Sequence, residues 1–222
     1  MSFHVAHIQD YNRFVAVDIG SYRVRAALYS LEDGDLTMLS YASVRQDKKN
    51  IINGSIVDMR SVALTIERAI MQVSRDIEST PSDIILSFSS HATLSDIITT
   101  QYVRADKNAP ITMTEIDSII NRIEAESFSR IREKAKREFG IAHDDIRLVS
   151  STITSISIDG KNFTNPLGSS GTNIRLTILN IFAPASDYNM IRSIISSLDK
   201  RIISLIPMPL VLPKLIEKSE HV

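Results

Sequence analysis

The sequence predicts an α/β protein in which short apolar strands alternate with amphipathic helices. The apolar run from Phe14 to Val17 continues to Ile19 and is rich in β-branched residues, which indicates a strand buried on both faces. Farther on, apolar residues recur at helical spacing at Val62, Ile66, Ala69, Ile70, Val73 and Ile77. With 222 residues, the chain can bury a sizeable core in one large or two small domains.

The first third of the chain predicts a β-hairpin, a third strand and a helix. A second apolar run follows Gly20 at once, and residues 36–44 form the third predicted strand. The basic and amide-rich residues 46–53 are predicted to be a loop. Asp58 is placed to cap the helix, and residues 84–88 form the next short strand.

The middle of the chain predicts a strand over residues 97–103 and then one long helix over residues 114–138. Thr112 and Glu115 have the spacing of a capping box at the start of this helix. The charged face of the helix is interpreted as a solvated face or, alternatively, as a partner surface. The apolar stripe consists of Ile116, Ile119, Ile120, Ile123, Phe128, Ile131 and Ala135.

The last third predicts two longer strands, a helix and a final strand. Residues 148–158 alternate serine or threonine with isoleucine, as an amphipathic strand does, and residues 174–182 form the next strand. Ser186 or Asp187 is expected to cap the helix that follows. Residues 202–206 form the final predicted strand.

The composition excludes several classes of function. With 25 basic and 26 acidic side chains, the chain gives no electrostatic reason to bind nucleic acid. The absence of cysteine excludes disulfides, zinc-thiolate sites and thiol nucleophiles, and it fits a reducing cytoplasm. No apolar run approaches membrane-spanning length, so we expect a cytoplasmic protein.

The turn after the first strand holds the candidate site residues. Asp18 ends a buried strand, where an unpaired carboxylate is costly, so a hydrated cation or a hydrogen-bonded turn is its expected partner. Gly20 allows close backbone approach to a ligand, and the N–H groups of residues 20–23 are candidates to face an anion. Ser21 adds a hydroxyl and Arg23 a positive charge. A plain hairpin turn explains the same residues.

These residues carry a family resemblance. Residues 18–25, Asp-Ile-Gly-Ser-Tyr-Arg-Val-Arg, resemble the first phosphate loop of the superfamily that contains actin, the sugar kinases and the heat-shock chaperone ATPases, and in particular that of the bacterial cell division protein FtsA. Residues 53–58, 84–91 and 158–171 resemble further FtsA elements in the same order. Because this order extends over essentially the whole chain, FtsA is favoured over its pilus relative PilM.

The resemblance implies the domain organisation. Residues 1–87 and 183–222 are expected to form an actin-like, ribonuclease H-like subdomain that lacks the second half of the ATPase core. Residues 88–182 are expected to form an inserted strand-helix-strand-strand (SHS2) subdomain, which in the family contacts neighbouring subunits or other division proteins. The predicted helix over 114–138 is longer than the family pattern suggests.

The resemblance also implies a partial nucleotide site. Its residues are Asp18, Gly20, Ser21, Tyr22 and Arg23, with Asp18 holding Mg²⁺ through water. Tyr22 replaces a small residue, and Arg23 stands where the family commonly has lysine. The chain has seven glycines and no Gly-Gly pair, so the second phosphate loop is absent. We therefore expect ATP and Mg²⁺ to bind only in a full-length parent, and this chain to have no catalytic residues and no enzyme activity.

The implied function is that of an FtsA-like division protein, or the N-terminal part of one. Its expected partners are FtsZ and other division proteins, together with self-association through residues 88–182. It is expected to reach the membrane at the division site only through partners, since no amphipathic C-terminal helix is present. The alternatives are a PilM-like pilus assembly protein and an ATP-dependent enzyme of the actin and sugar kinase superfamily.

Overall fold

The structure of the chain, a computed structural model, describes residues 12–88, 92–142 and 145–207. The described chain forms two compact units. Ala92–Pro184 make up the inserted unit, and the residues on either side of this segment make up the flanking unit. The boundaries that the resemblance implies fall after residues 87 and 182.

The flanking unit is built on a five-stranded sheet with the order β11-β6-β1-β2-β3. β1, β2 and β3 are antiparallel neighbours, whereas β6 and β11 run parallel to β1. A two-stranded ribbon of β4 and β5 turns at Asn53 and Gly54, which both have positive φ. The strands are β1 (Arg13–Ile19), β2 (Arg23–Glu32), β3 (Asp35–Arg45), β4 (Ile51–Ile52), β5 (Ser55–Ile56), β6 (Asp83–Phe88) and β11 (Arg201–Pro207).

Helix α1 (Met59–Val73) packs against β1, β2 and β3. Asp58 caps it as predicted, since its carboxylate accepts from the Ser61 N–H at 2.9 Å. The predicted stripe was wrong at Ile77, because the helix ends at Val73 with Ser74 as its C-cap. Serine, aspartate and threonine dominate the residues after Val73, and their side chains compete with helical hydrogen bonds.

Helix α3 (Ala185–Ser196) packs against α1 and β11. The prediction that Ser186 or Asp187 caps this helix was wrong, because both lie in its first turn. The preceding strand continues to Pro184 instead of ending at Phe182, so the chain passes directly from strand to helix. Asp187 still stabilises the helix, because its negative charge lies in the first turn, at the positive end of the helix dipole.

The inserted unit is an antiparallel sheet with the order β7-β10-β8-β9, covered on one face by the long helix α2. Along the chain its elements follow the strand-helix-strand-strand order, with β9 as a two-residue addition. Ile116, Ile119, Ile123, Ile131 and Ala135 of the predicted stripe are buried. The elements are β7 (Leu94–Val103), α2 (Met113–Phe139), β8 (Ile146–Ile158), β9 (Lys161–Asn162) and β10 (Asn173–Pro184).

Half of the predicted capping box forms at the start of α2. Thr112 Oγ1 accepts from the Glu115 N–H at 3.3 Å, as predicted. The Glu115 carboxylate, however, accepts from the buried Arg104 at 2.8 and 3.0 Å, so an ion pair replaces the reciprocal half of the box. A buried guanidinium needs this partner more than the backbone of Thr112 does.

Candidate functional site: the hairpin of the first two strands

The hairpin of β1 and β2 carries all the predicted site residues. Val15, Val17 and Ile19 are 0%, 2% and 5% exposed, and β1 lies between β2 and β6. These three side chains lie on the same face of β1, so that face is buried. On the other face Phe14 is buried, but Ala16 and Asp18 are only partly buried, so the prediction of a strand buried on both faces was wrong at these two residues. Asp18 is held at the end of a central strand, and the connection to β2 projects from the sheet with Ser21 and Tyr22 exposed.

The partner of Asp18 is a side chain on the neighbouring strand. Arg25 lies directly opposite Asp18 in the antiparallel register, and its Nη1 donates to Asp18 Oδ2 at 3.0 Å. The side chains of Asp18 and Arg25 remain 30% and 51% exposed. In the described part of the chain, no group of three or more histidines and carboxylates is placed to hold a metal ion. A Mg²⁺ ion held by Asp18 through water would have to share this carboxylate with Arg25.

Gly20 is required sterically. A Cβ at this position would lie 2.9 Å from the carbonyl oxygen of Arg23, which is part of the backbone and cannot move aside easily. The Gly20 N–H donates to that same oxygen at 3.0 Å. The expectation that this N–H faces an anion was therefore wrong, because closing the hairpin already uses it.

Gln46 supports the loop from behind, although the sequence analysis placed it in an ordinary loop. Its backbone N–H donates to the Tyr22 carbonyl at 2.9 Å, and its Nε2 donates to the Gly20 carbonyl at 2.8 Å. The side chain is only 2% exposed. No local pattern distinguishes Gln46 from its polar neighbours, so only its tertiary contacts reveal it.

The exposed tip of the hairpin is positively charged. The guanidinium carbons of Arg23 and Arg45 lie 5.5 and 5.3 Å from the centre of the Tyr22 ring. Arg23 Nη1 also donates to Ser43 Oγ at 3.3 Å. Tyr22 thus orders two arginines beside the loop, and Ser21 and Arg23 stay accessible to an anion.

A shallow cavity adjoins this hairpin. Its volume of about 230 Å³ lies below the range of roughly 300–1,000 Å³ typical of small-molecule pockets. The cavity cannot enclose a whole nucleotide. Its lining includes Ala16, Asp18, Arg25, Ala27, Tyr41 and Ser87.

The motif over residues 158–171 builds a loop in the inserted unit. The Asp159 carboxylate accepts from the backbone N–H groups of Thr172 and Asn173, at 3.0 and 2.8 Å. These bonds hold the pKa of Asp159 below its ordinary value, since they stabilise the ionised form. A Cβ on Gly171 would lie 2.3 Å from Ile158 Cγ2. The motif therefore has a structural role.

Arg104 completes this loop structure. Its side chain is 4% exposed, and besides Glu115 it donates to the carbonyls of Ala109 at 2.9 Å and Gly171 at 3.2 Å. The hydrogen bonds to Glu115 raise the pKa of Arg104 even though burial acts in the opposite direction. One buried guanidinium thus joins the two loops that flank the start of α2.

Two further surfaces of the inserted unit, the exposed side chains of β7 and the charged side of α2, differ in polarity. Ile97 and Val103 of β7 are 65% and 64% exposed on the sheet, which α2 covers on one face only. On α2, Arg130 lies 3.5 Å from Asp96 and 3.6 Å from Glu126. The charged side of the helix is therefore at least partly engaged in ion pairs within the chain.

Comparisons with known proteins bear on the fold. Neither a family model nor a curated protein matches the chain. Among solved structures, the PilM-PilN type IV pilus biogenesis complex is similar with a TM-score of 0.55 and 11% identity, over 88% of this chain and 47% of that one. A Bacteroides thetaiotaomicron protein with an actin-like ATPase fold and unknown function has a TM-score of 0.40 and 6% identity, over 95% and 58%.

The fold is of the α/β class and is similar to that of the PilM-PilN structure. Because the identity is low, this similarity establishes the fold alone. The chain spans about half the length of the PilM structure that it matches, at 47%. The narrower FtsA resemblance remains a sequence prediction. In the described ranges, no helix combines the length and apolar composition needed to cross a membrane.

Proposed function

We propose that this chain is an actin-like assembly protein that acts through protein contacts rather than through catalysis. The observation that carries the proposal is the pairing of Asp18 with Arg25 at 3.0 Å, together with the use of the Gly20 N–H inside the hairpin. Both groups would otherwise be available to a nucleotide and its metal. Their engagement supports a hairpin that serves as scaffold.

Nucleotide binding by this chain alone is proposed to be weak. Ser21 and Arg23 are the residues that would contact phosphate, and Asp18 would hold Mg²⁺ through water. The small cavity beside them leaves most of a nucleotide in water, which limits affinity. ATP with Mg²⁺ would bind tightly only where a second phosphate loop faces this one.

The first candidate role is that of an FtsA-like component of the division machinery, located at the division site through FtsZ and other partners. The order of the sequence motifs supports it. The second candidate is a PilM-like role in pilus assembly, favoured by the TM-score of 0.55 against the PilM-PilN complex. In both roles the inserted unit provides a partner surface.

A binding experiment separates these roles. The purified chain is titrated with FtsZ and, separately, with a PilN-type peptide, and its affinity for ATP with Mg²⁺ is measured by calorimetry. We expect FtsZ binding and weak or undetectable ATP binding. Binding only to the PilN-type peptide would favour the pilus role over the division role. ATP binding as tight as that of a complete kinase would overturn the scaffold proposal.

Charge reversal on α2 tests whether the inserted unit is the partner surface. Arg137 is an exposed residue near the end of the helix, and its side chain is 74% exposed. We expect Arg132→Glu combined with Arg137→Glu to weaken self-association or partner binding through this unit. Unchanged binding would place the interface elsewhere.

A further inference from the structure

Strand β3 forms one edge of the sheet in the flanking unit, and its exposed side chains are unusually apolar. Leu36, Met38, Leu39 and Tyr41 are 55%, 55%, 45% and 56% exposed. Within the described ranges, β2 is the only strand that pairs with β3. A long apolar edge strand is a site where another strand adds to a sheet.

At each end of β3, a charged residue faces a residue of like charge on β2. Asp35 lies directly opposite Glu32 on β2, and Arg45 lies directly opposite Arg23. Like charges opposed across an antiparallel pair are destabilising. The centre of the Tyr22 ring lies 5.5 and 5.3 Å from the guanidinium carbons of Arg23 and Arg45. These contacts offset only part of the repulsion between the two arginines. Strand β3 therefore has one acidic end and one basic end.

We propose that two copies of this chain associate through β3, antiparallel about a two-fold axis, to form a ten-stranded sheet. A pairing centred on Ser40 places Asp35 opposite Arg45 of the second copy, and the two-fold symmetry repeats this contact. Leu36 then faces Val44, and Leu39 faces Tyr41, of the second copy. Each pair of like charges then lies beside an opposite charge from the second copy, and the exposed apolar side chains of β3 are removed from water.

The charge pattern of β3 favours a second copy of the chain, bound antiparallel, as its partner. A parallel arrangement of the two strands would bring acid against acid and base against base, so only the antiparallel arrangement is complementary. The register between β2 and β3 passes over Leu39, which marks a bulge in β3. A bulge makes the edge less regular, so the paired charges and apolar contacts, more than a continuous hydrogen-bond ladder, decide which strand binds. This inference does not depend on the division or pilus role.

The test is sedimentation equilibrium of the full chain over a wide concentration range. We expect a species of twice the 24.8 kDa mass, and raising the salt concentration should shift it toward monomer. Each of the variants Asp35→Arg and Arg45→Asp should bind itself about tenfold or more weakly, because each places two like-charge pairs in the interface. Hydrogen exchange at the β3 amides should slow as the dimer forms.

Mixing the two variants gives the decisive result. In a heterodimer, Arg at position 35 meets Asp at position 45, and the unchanged Asp35 meets the unchanged Arg45, so dimer formation should be restored. Each variant also removes one like-charge pair inside its own chain, so neither is expected to unfold. The matched controls are Glu78→Arg and Arg175→Asp, which change exposed charges that are not part of β3 and should leave the dimer intact.

Two outcomes would overturn the inference. One is a monomer at every concentration, including the case in which the β3 surface binds a different protein while the chain stays monomeric. The other is a dimer that neither variant weakens. A third variant, Leu36→Lys, tests the apolar part, and it should weaken the dimer even when the charges are intact.

Discussion

Two loops of this molecule contain a carboxylate and a glycine but use them in different ways. In the inserted unit, Asp159 accepts from the backbone N–H groups of Thr172 and Asn173. In the flanking unit, Asp18 accepts from the side chain of Arg25. A carboxylate that binds backbone groups determines the path of a loop, whereas one that binds a half-exposed side chain can exchange its partner for a ligand. The atom that the carboxylate binds, rather than the residue type, determines how firmly each loop is held.

The largest effect is expected for Arg104→Met, which removes the guanidinium that joins the loops of the inserted unit. Loss of one partner from a buried ion pair typically costs about 3–5 kcal/mol, because Glu115 keeps its charge without its counterion. Chemical denaturation monitored in the inserted unit measures the change. Arg175→Met on exposed β10 surface is the control, and a similar loss in both variants would contradict the role of Arg104.

A smaller loss is expected for Gly171→Ala. The added methyl group would lie 2.3 Å from Ile158 Cγ2, so the loop must shift, and such overpacking typically costs about 1–3 kcal/mol. Gly160→Ala is a control with positive φ and open space around its Cβ, so backbone strain alone should cost it about 1–2 kcal/mol. Equal losses would mean that backbone conformation, not the contact with Ile158, explains Gly171.

The pH dependence of stability is the next test, and it concerns the carboxylate of Asp159. The folded pKa of Asp159 lies below its ordinary value of 3.8, so its contribution is present above that pH and is lost as the pH falls through the folded pKa. We expect the unfolding midpoint of the inserted unit to fall as the pH drops below about 4, and the fall to be shallower in Asp159→Asn.

Asp58 offers a matched comparison in the flanking unit. Its pKa is lowered chiefly by the Ser61 N–H, so the sign of its effect is the same. The Asp58→Asn variant should flatten the acid response of the flanking unit alone. If Asp159→Asn instead leaves the acid response of the inserted unit unchanged, its carboxylate does not stabilise that loop.

The smallest effect is expected for Asp18→Asn. Surface ion pairs contribute about 0–1 kcal/mol, and this pair is 30% and 51% exposed. We therefore expect nearly unchanged stability in thermal unfolding, and unaltered residual nucleotide affinity if Asp18 serves only the hairpin. A large loss of stability would make Asp18 a scaffold residue like Asp159. A loss of ATP affinity with stability intact would make it a ligand residue.

The elements of secondary structure could largely be predicted from the sequence, because their signals are local. The caps at Asp58 and Thr112 depend on residues only three positions away. Errors arose where a longer-range partner or a neighbouring element competed. Glu115 turned to Arg104 instead of its own cap, and α3 began directly after Pro184 because the strand before it was longer than predicted.

The hairpin that carries the candidate site residues could be predicted from the sequence, but the contacts of those residues could not. Asp18, Gly20, Ser21, Tyr22 and Arg23 were identified together, and all lie in the β1–β2 hairpin. Gln46 and Arg45 reach this hairpin from the end of β3, more than twenty positions along the chain. No pattern within a short window specifies which residue of a loop returns to an earlier turn.

By itself, the sequence determined the alternation of strands and helices, the buried strand before the loop and the charges that the loop carries. These depend on periodicity and on neighbours a few positions apart. Only the tertiary structure decided that Arg25 pairs with Asp18, that Gly171 has no room for a side chain, and that β3 presents an apolar edge with opposite charges at its ends. Strand register and sheet order set those contacts, and both depend on residues distant in the chain.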